Sequence, residues 1–141
     1  MILCDSNILI YAINVRSPKH NQAQAFVTNH QSELVCAHQN ILETLRVLTH
    51  STYPHPMTLP DGIEATDSIV NNLKILSPTI ETYTIAHELL QRFPNKSNHI
   101  FDLYLVATML SHDISTIATD NTKDLALFEG ISVFNPFTEK K

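Results

Sequence analysis

The chain has 141 residues, 43% of them apolar, and a formal net charge of -5, which fits one globular domain with its own core and excludes a disordered chain. Only two glycines leave little material for a Gly-rich nucleotide loop. The acidic balance counts against a general polyanion binder.

In chain order, residues 2 to 5 read as a short, continuously apolar strand, and ILIYAI as the start of a helix that Ser17 and Pro18 interrupt. KHNQAQAFVTNH continues as a polar-faced helix. ELVCA, residues 33 to 37, is a second strand, and HQNILETLRVLTH, about 38 to 50, a strong helix. The proline-rich STYPHPMTLP reads as a loop. A helix then runs from Pro60 and Asp61 to about Leu73, and SPTI is expected to be a marginal strand. ETYTIAHELLQRF is an amphipathic helix stopped by PNKSNH, and HIFDLYLVATMLSHD is helical and apolar on nearly every side, which places it deep against the sheet. STIATD is a fourth strand, NTKDLALF a short helical turn and ISVF a fifth strand. Strands alternating with helices predict a single α/β domain over residues 1–141, a mostly parallel five-stranded sheet with helices on both faces.

No apolar stretch reaches the roughly 18 to 20 residues of a membrane span. The opening MILCDSNILI lacks the basic lead and apolar core of a signal peptide, so a cytoplasmic location away from membranes is expected. Cys4 and Cys36 form no zinc-type spacing and read as reduced, buried thiols. Any metal is therefore expected to be held by oxygen. Arg16, Lys19 and His20, and later Lys96 with His99, form small basic clusters that solvated surface also explains.

The acids carry the functional question. Asp5 and Asp120 each follow a short strand and precede a helical segment, so in a parallel sheet both point into the crevice where ligands collect. A helix cap explains each equally well when taken singly. Asp102 shares a helix face with Leu105, Val106 and Met109 and needs a partner, either the free N–H groups of a first turn or a cation. Glu43 falls opposite the apolar stripe of Ile41, Leu42, Leu45 and Leu48, and periodicity reads it as a solvated side chain.

DSNILIYA, NILETL, FDLYLVATML and ATDNTKDL, in that order, resemble the PIN-domain ribonucleases along the whole chain, specifically the VapC-like toxins of toxin–antitoxin systems. The resemblance implies a PIN-like fold and an acidic catalytic site of Asp5, Glu43, Asp102 and Asp120, which reverses the reading of Glu43. Asp124 matches a further acid found in some members, and Ser6 and Asn7 match the polar positions after the first aspartate. Leu125 departs from the pattern, since many relatives carry an aromatic after the last acid.

Crowded carboxylates need a hard divalent cation, and oxygen ligation suits Mg²⁺ or Mn²⁺. The implied activity is metal-dependent endonucleolytic hydrolysis of single-stranded RNA. Asp5 and Asp102 would be the main metal ligands, Asp120 a ligand directly or through water, and Glu43 a ligand or the group orienting the attacking water. Arg16, Lys19 and Lys96 would contact the RNA backbone. The implied partners are RNA, a cognate antitoxin that places a basic side chain in the groove, and a second copy in a homodimer using Phe26, Val27 and Leu48. Two alternatives stay within the fold: a stand-alone PIN nuclease in RNA processing, and a non-catalytic module binding RNA or protein. A haloacid-dehalogenase-type phosphatase would want an aspartate where Asn7 stands, and a response receiver would want an acidic pair after the first strand.

Overall fold

Strands of three or four residues, as apolar as these, are stable only when covered on both faces. The computed structural model describes residues 1–93 and 97–138 and shows that arrangement. β1 (Ile2–Cys4), β2 (Leu34–Ala37), β3 (Lys74–Leu76), β4 (Thr116–Ala118) and β5 (Ser132–Phe134) form one sheet, parallel throughout, in the order β3-β2-β1-β4-β5. The connecting helices are α1 (Ser6–Ile13), α2 (His20–His30), α3 (His38–Thr49), α4 (Leu59–Val70), α5 (Thr82–Arg92), α6 (Ile100–Ser111) and the short α7 (Thr122–Leu125).

The pleat sends alternate strand residues to opposite sides. Leu3, Val35 and Ile117 pack with Ala86 and Leu89 of α5 and with Leu103, Val106 and Met109 of α6. Cys4, Leu34, Cys36 and Ala118 pack with Ile8, Leu9 and Ala12 of α1, Ala23 and Val27 of α2 and Val70 of α4. Both thiols are free and buried, and burial, then the neighbouring Cys36 and Asp5, pushes the Cys4 thiol well above its ordinary value. They are core residues, as expected. Among the described residues no helix is long and apolar enough to cross a membrane.

The helix starts follow from capping chemistry. Asp5 accepts the Ser6 N–H at 2.8 Å to open α1, and Thr58 accepts the Asp61 N–H at 3.3 Å to open α4, which has a proline in its first turn. Where α4 crosses α3, Gly62 meets Thr49 so closely that a Cβ would lie 2.8 Å from Thr49 Cγ2. Thr49 cannot easily turn away, because it is β-branched and its hydroxyl donates to the Leu45 carbonyl at 2.7 Å. Gly62→Ala is therefore expected to destabilise the fold by about 1–3 kcal/mol through overpacking, read as a lower midpoint in urea denaturation with an unchanged slope.

Two expectations need correction. The third strand is Lys74–Leu76, not Ser77–Ile80, and the preceding helix ends at Val70, three residues before Leu73. Lys74 to Leu76 pair with Val35 to Ala37, whereas Pro78 has no N–H for a ladder and Ile80 is 92% exposed. The interface expected from Phe26, Val27 and Leu48 does not exist as a surface. Val27 and Leu48 are buried, and Phe26 lies against the core with its ring 6.0 Å from that of Phe134.

Candidate metal centre

The strand order reverses direction between β1 and β4, and in open parallel sheets ligands bind at the carboxyl ends of the two strands flanking such a switch. Asp5 directly follows β1, and Thr119 and Asp120 directly follow β4. The backbone closes the two ends together, Asp5 N–H donating to the Ala118 carbonyl at 3.0 Å.

Asp5 is 9% exposed and wrapped in donors. The Thr119 hydroxyl donates to Oδ2 at 2.7 Å, the Ser6 N–H to Oδ1 at 2.8 Å, and the Asn7 and Asn40 amides reach the carboxylate at 3.4 Å each. Burial nevertheless lifts its pKa above the ordinary carboxylate value. The Thr119 and Ser6 bonds work against the lift, and the nearby charges of Glu43 and Asp102 add to it. This one side chain both caps α1 and lies beside the other acids.

Glu43 is half-buried beside Asp5, contrary to its reading from periodicity. The Ser6 hydroxyl lies 3.3 Å from Glu43 Oε2 and 3.5 Å from Asp5 Oδ1, so one proton is shared between two carboxylates. The Gln39 amide donates to Glu43 Oε1 at 2.9 Å and to the Phe101 carbonyl at 2.8 Å, tying α3 to the start of α6, while Gln39 Oε1 is buried without a partner. The buried face of α3 runs through Asn40, Thr44 and Leu48, and Leu42 is 64% exposed. Two polar residues occupy that face because they satisfy each other and the strand end. Asn40 Oδ1 accepts the Ala37 N–H at 2.9 Å, and the Thr44 hydroxyl donates to the Asn40 carbonyl at 2.7 Å.

Asp102 stands in the first turn of α6 with His99 Nδ1 at 3.2 Å from Oδ2. One ligand atom each from His99, Asp102 and Asp124 lie within 4.8 Å of one another, close enough to share a cation. Asp124 also accepts the Asn121 amide at 2.9 Å. Beside Glu43 and Asp102 opens a groove of about 770 Å³ whose walls include Leu42, Arg46, Phe101 and Tyr104.

Asp120 faces elsewhere. Lys19 Nζ at 2.7 Å, the Tyr11 hydroxyl at 2.8 Å and the Asn135 amide at 3.0 Å all donate to it. Burial works to raise its pKa, and these three bonds together with the Lys19 charge overcome that and hold it below the ordinary value. Lys19 thus meets Asp120, Arg16 is exposed, and Lys96 lies outside the described residues.

The structure therefore joins Asp5 and Glu43 through one Ser6 hydroxyl, leaves Asp102 near enough to act on Asp5 through its charge, sets Asp124 and His99 within ligand distance of Asp102, and turns Asp120 toward Lys19. Among the described residues no lysine or arginine forms an ion pair with Asp5, Glu43 or Asp102. Carboxylates that share this crevice with no lysine or arginine paired to them, one of them raised by burial and, less, by the charges of Glu43 and Asp102, fit a divalent metal ion.

Thr119, Asn40, Tyr11, Asn135 and His99 complete the picture and were not singled out as site residues from sequence. Thr119 had a signal, being a polar residue at a fully buried strand end next to a candidate acid. Its hydroxyl donates to Asp5 and accepts from the Asn7 amide and the Asn121 N–H, both at 3.0 Å. Thr119→Val removes all three bonds. It is expected to cost about 1–3 kcal/mol and to raise the Asp5 pKa further, moving the acid limb of any Asp5-dependent activity to higher pH, a shift that a pH–rate profile reads.

Residues 2–128 match the family model described as PIN domain. Ribonuclease VapC24 of Mycobacterium tuberculosis (strain CDC 1551 / Oshkosh) is 25% identical over 144 residues, covering 98% of each chain. DNA-bound VapBC from Salmonella typhimurium superimposes with a TM-score of 0.74 at 13% identity, over 96% of this chain and 99% of that one. The sarcin-ricin loop cleaving toxin VapC20 of Mycobacterium tuberculosis does so with a TM-score of 0.70 at 14% identity, over 90% and 95%. These structural likenesses concern the fold, and the family match spans nearly all of it: the chain belongs to the PIN domain family.

Proposed function

We propose that the protein is a metal-dependent endoribonuclease that hydrolyses phosphodiester bonds of single-stranded RNA in the cytoplasm, as the toxin of a toxin–antitoxin pair. The observation that carries this reading is that Asp5, at the switch point of the sheet, shares the Ser6 hydroxyl with Glu43 and feels the charge of Asp102, with no lysine or arginine paired to any of the three among the described residues. The family match and the ribonuclease name of the Mycobacterium relative support it.

Asp5, Glu43 and Asp102 would hold the cation, with Asp124 and His99 adjoining. A bound Mg²⁺ or Mn²⁺ supplies an activated water and neutralises charge at the phosphoryl oxygens. The chain's own residues set the geometry. Thr119, Ser6, Asn7 and Asn40 fix the Asp5 carboxylate, and Gln39 and Ser6 fix Glu43, which retains lone pairs to take a proton from the attacking water. Arg16, Lys19 and Lys96 are the proposed contacts to the RNA backbone, which answers the net negative charge locally.

An antitoxin of the VapB kind would cover the groove beside Glu43 and Asp102 and place a basic side chain between them, since among the described residues Arg46, in the groove wall, forms no ion pair with either acid. The proposed homodimer must use surface other than Phe26, Val27 and Leu48, and other than the groove walls Leu42 and Phe101 that the antitoxin would cover. Expression in a bacterial host tests the reading. The parent is expected to arrest growth and fragment cellular RNA, Asp5→Asn to do neither, and the product of a short adjoining reading frame to restore growth. Arrest without RNA fragmentation would overturn it.

A further inference from the structure

Both oxygens of Asp120 already accept bonds from within the chain. Oδ2 accepts the Lys19 ammonium at 2.7 Å and the Tyr11 hydroxyl at 2.8 Å, and Oδ1 accepts the Asn135 amide at 3.0 Å. Its direction is set by Asn7, whose Oδ1 accepts the Asp120 N–H at 3.1 Å while its amide braces Thr119 and Asp5. Lys19 Nζ is held on further sides by aromatic rings, 5.1 Å from the Tyr11 centroid and 5.3 Å from that of Phe137. The two rings stand edge to face, 5.5 Å apart. A lysine is ordinarily a mobile point charge on a flexible stem. This one is fixed on Asp120, which Asn7 connects to Asp5, with 37% of its side chain exposed.

Resting on the ribonuclease reading, we propose that Asp120 is a positioning residue for Lys19 and not a ligand of the divalent cation, and that Lys19, so held, binds a backbone phosphate of the RNA. An ammonium has three donors and Asp120 Oδ2 takes one, so donors remain for phosphate oxygens. A divalent cation on the same carboxylate would sit against the ammonium and be repelled by it. Tyr11 and Asn135 share the negative charge of Asp120, so Lys19 is anchored without being wholly neutralised. The chain's net charge of -5 makes such a fixed cation useful beside carboxylates that repel the substrate.

The test compares the parent with Asp5→Asn, Asp120→Asn, Lys19→Met, Lys19→Arg and the Asp120→Asn/Lys19→Met double variant. Mn²⁺ affinity is read by electron paramagnetic resonance. Binding of a fluorescein-labelled, mixed-sequence single-stranded oligoribonucleotide is read in EDTA over a range of salt, and KM and kcat are read in Mn²⁺. Asp120→Asn and Lys19→Met are expected to keep Mn²⁺ affinity within about twofold of the parent, to weaken oligonucleotide binding and raise KM by about tenfold, and to lower the salt slope by about 0.7. Lys19→Arg should restore most of the binding, and the double variant should be no weaker than Lys19→Met alone. Asp5→Asn should lose Mn²⁺. If Asp120→Asn loses Mn²⁺ as Asp5→Asn does, Asp120 is a ligand and the proposal falls. If Lys19→Met melts at lower temperature but keeps the parent's oligonucleotide affinity and salt slope, the pair is only a latch of the fold and the proposal falls. A parent that neither binds Mn²⁺ nor cuts RNA overturns the ribonuclease reading itself.

Discussion

Asp5→Asn is expected to lower the initial rate of RNA cleavage by more than about 100-fold, since groups that merely orient metal ligands already cost 10–100-fold when removed. The side chain keeps its volume and remains a good helix cap, so α1 still starts at Ser6. What disappears is the negative charge, and with it the acceptor for the Thr119 hydroxyl, because the new amide meets donors from Thr119 and Asn7. Circular dichroism should show the parent's helix content and a modestly lower melting temperature. Glu43→Gln makes the companion measurement. It keeps the lengths of the contacts with Ser6 and Gln39 but removes the charge, and an unchanged rate would make Glu43 a spectator.

The second large effect concerns stability. Burial makes the charge of Asp5 costly, and the nearby charges of Glu43 and Asp102 add to that cost when no cation is bound. The sign follows from the raised pKa. The folded chain holds the Asp5 proton more tightly than the unfolded chain, so this group's contribution to stability falls as pH rises from the ordinary carboxylate range through the raised value, and above it the metal-free protein carries the full penalty. Mn²⁺ or Mg²⁺ binding only to the folded state reverses this by RT ln(1 + [L]/Kd), about 2.7 kcal/mol at a hundredfold excess over Kd. In a domain of this size that is on the order of 10 °C in melting temperature. The parent should show this rise at neutral pH, Asp102→Asn a smaller one, and Asp5→Asn almost none. An equal rise in all three proteins would place the cation elsewhere.

The architecture was legible because apolar runs and helical periods alternate cleanly, and because α6, apolar all round, can only lie against the sheet. The third strand was not legible: Lys74 to Leu76 have two exposed residues at the sheet edge, and their pairing with β2 is a tertiary fact with no local pattern. At the site, Asp5 and Asp120 were legible as residues at strand ends, and the meeting of Asp5 with Glu43 and Asp102 required the fold. Periodicity misplaced Glu43 because the inward face of α3 is built from Asn40 and Thr44, polar residues whose hydrogen bonds to Ala37, to Asp5 and within their own helix let them replace apolar ones. Only the four-motif resemblance reached that residue. The pairing of Lys19 with Asp120 joins residues 101 positions apart and has no signature along the chain.

Reversible chelation tests the central claim most directly. Purified protein is mixed with total cellular RNA in Mn²⁺, then in Mn²⁺ with excess EDTA, then with Mn²⁺ restored, and again with Ca²⁺ in its place. Discrete RNA fragments should form in Mn²⁺, stop forming in EDTA and resume on restoration, with Ca²⁺ supporting little cleavage because its larger, looser coordination suits the site poorly. Asp5→Asn, prepared in the same way, should give no fragments under any of these conditions. Undiminished cleavage by the parent in EDTA, or the same fragments from Asp5→Asn in Mn²⁺, would contradict the account.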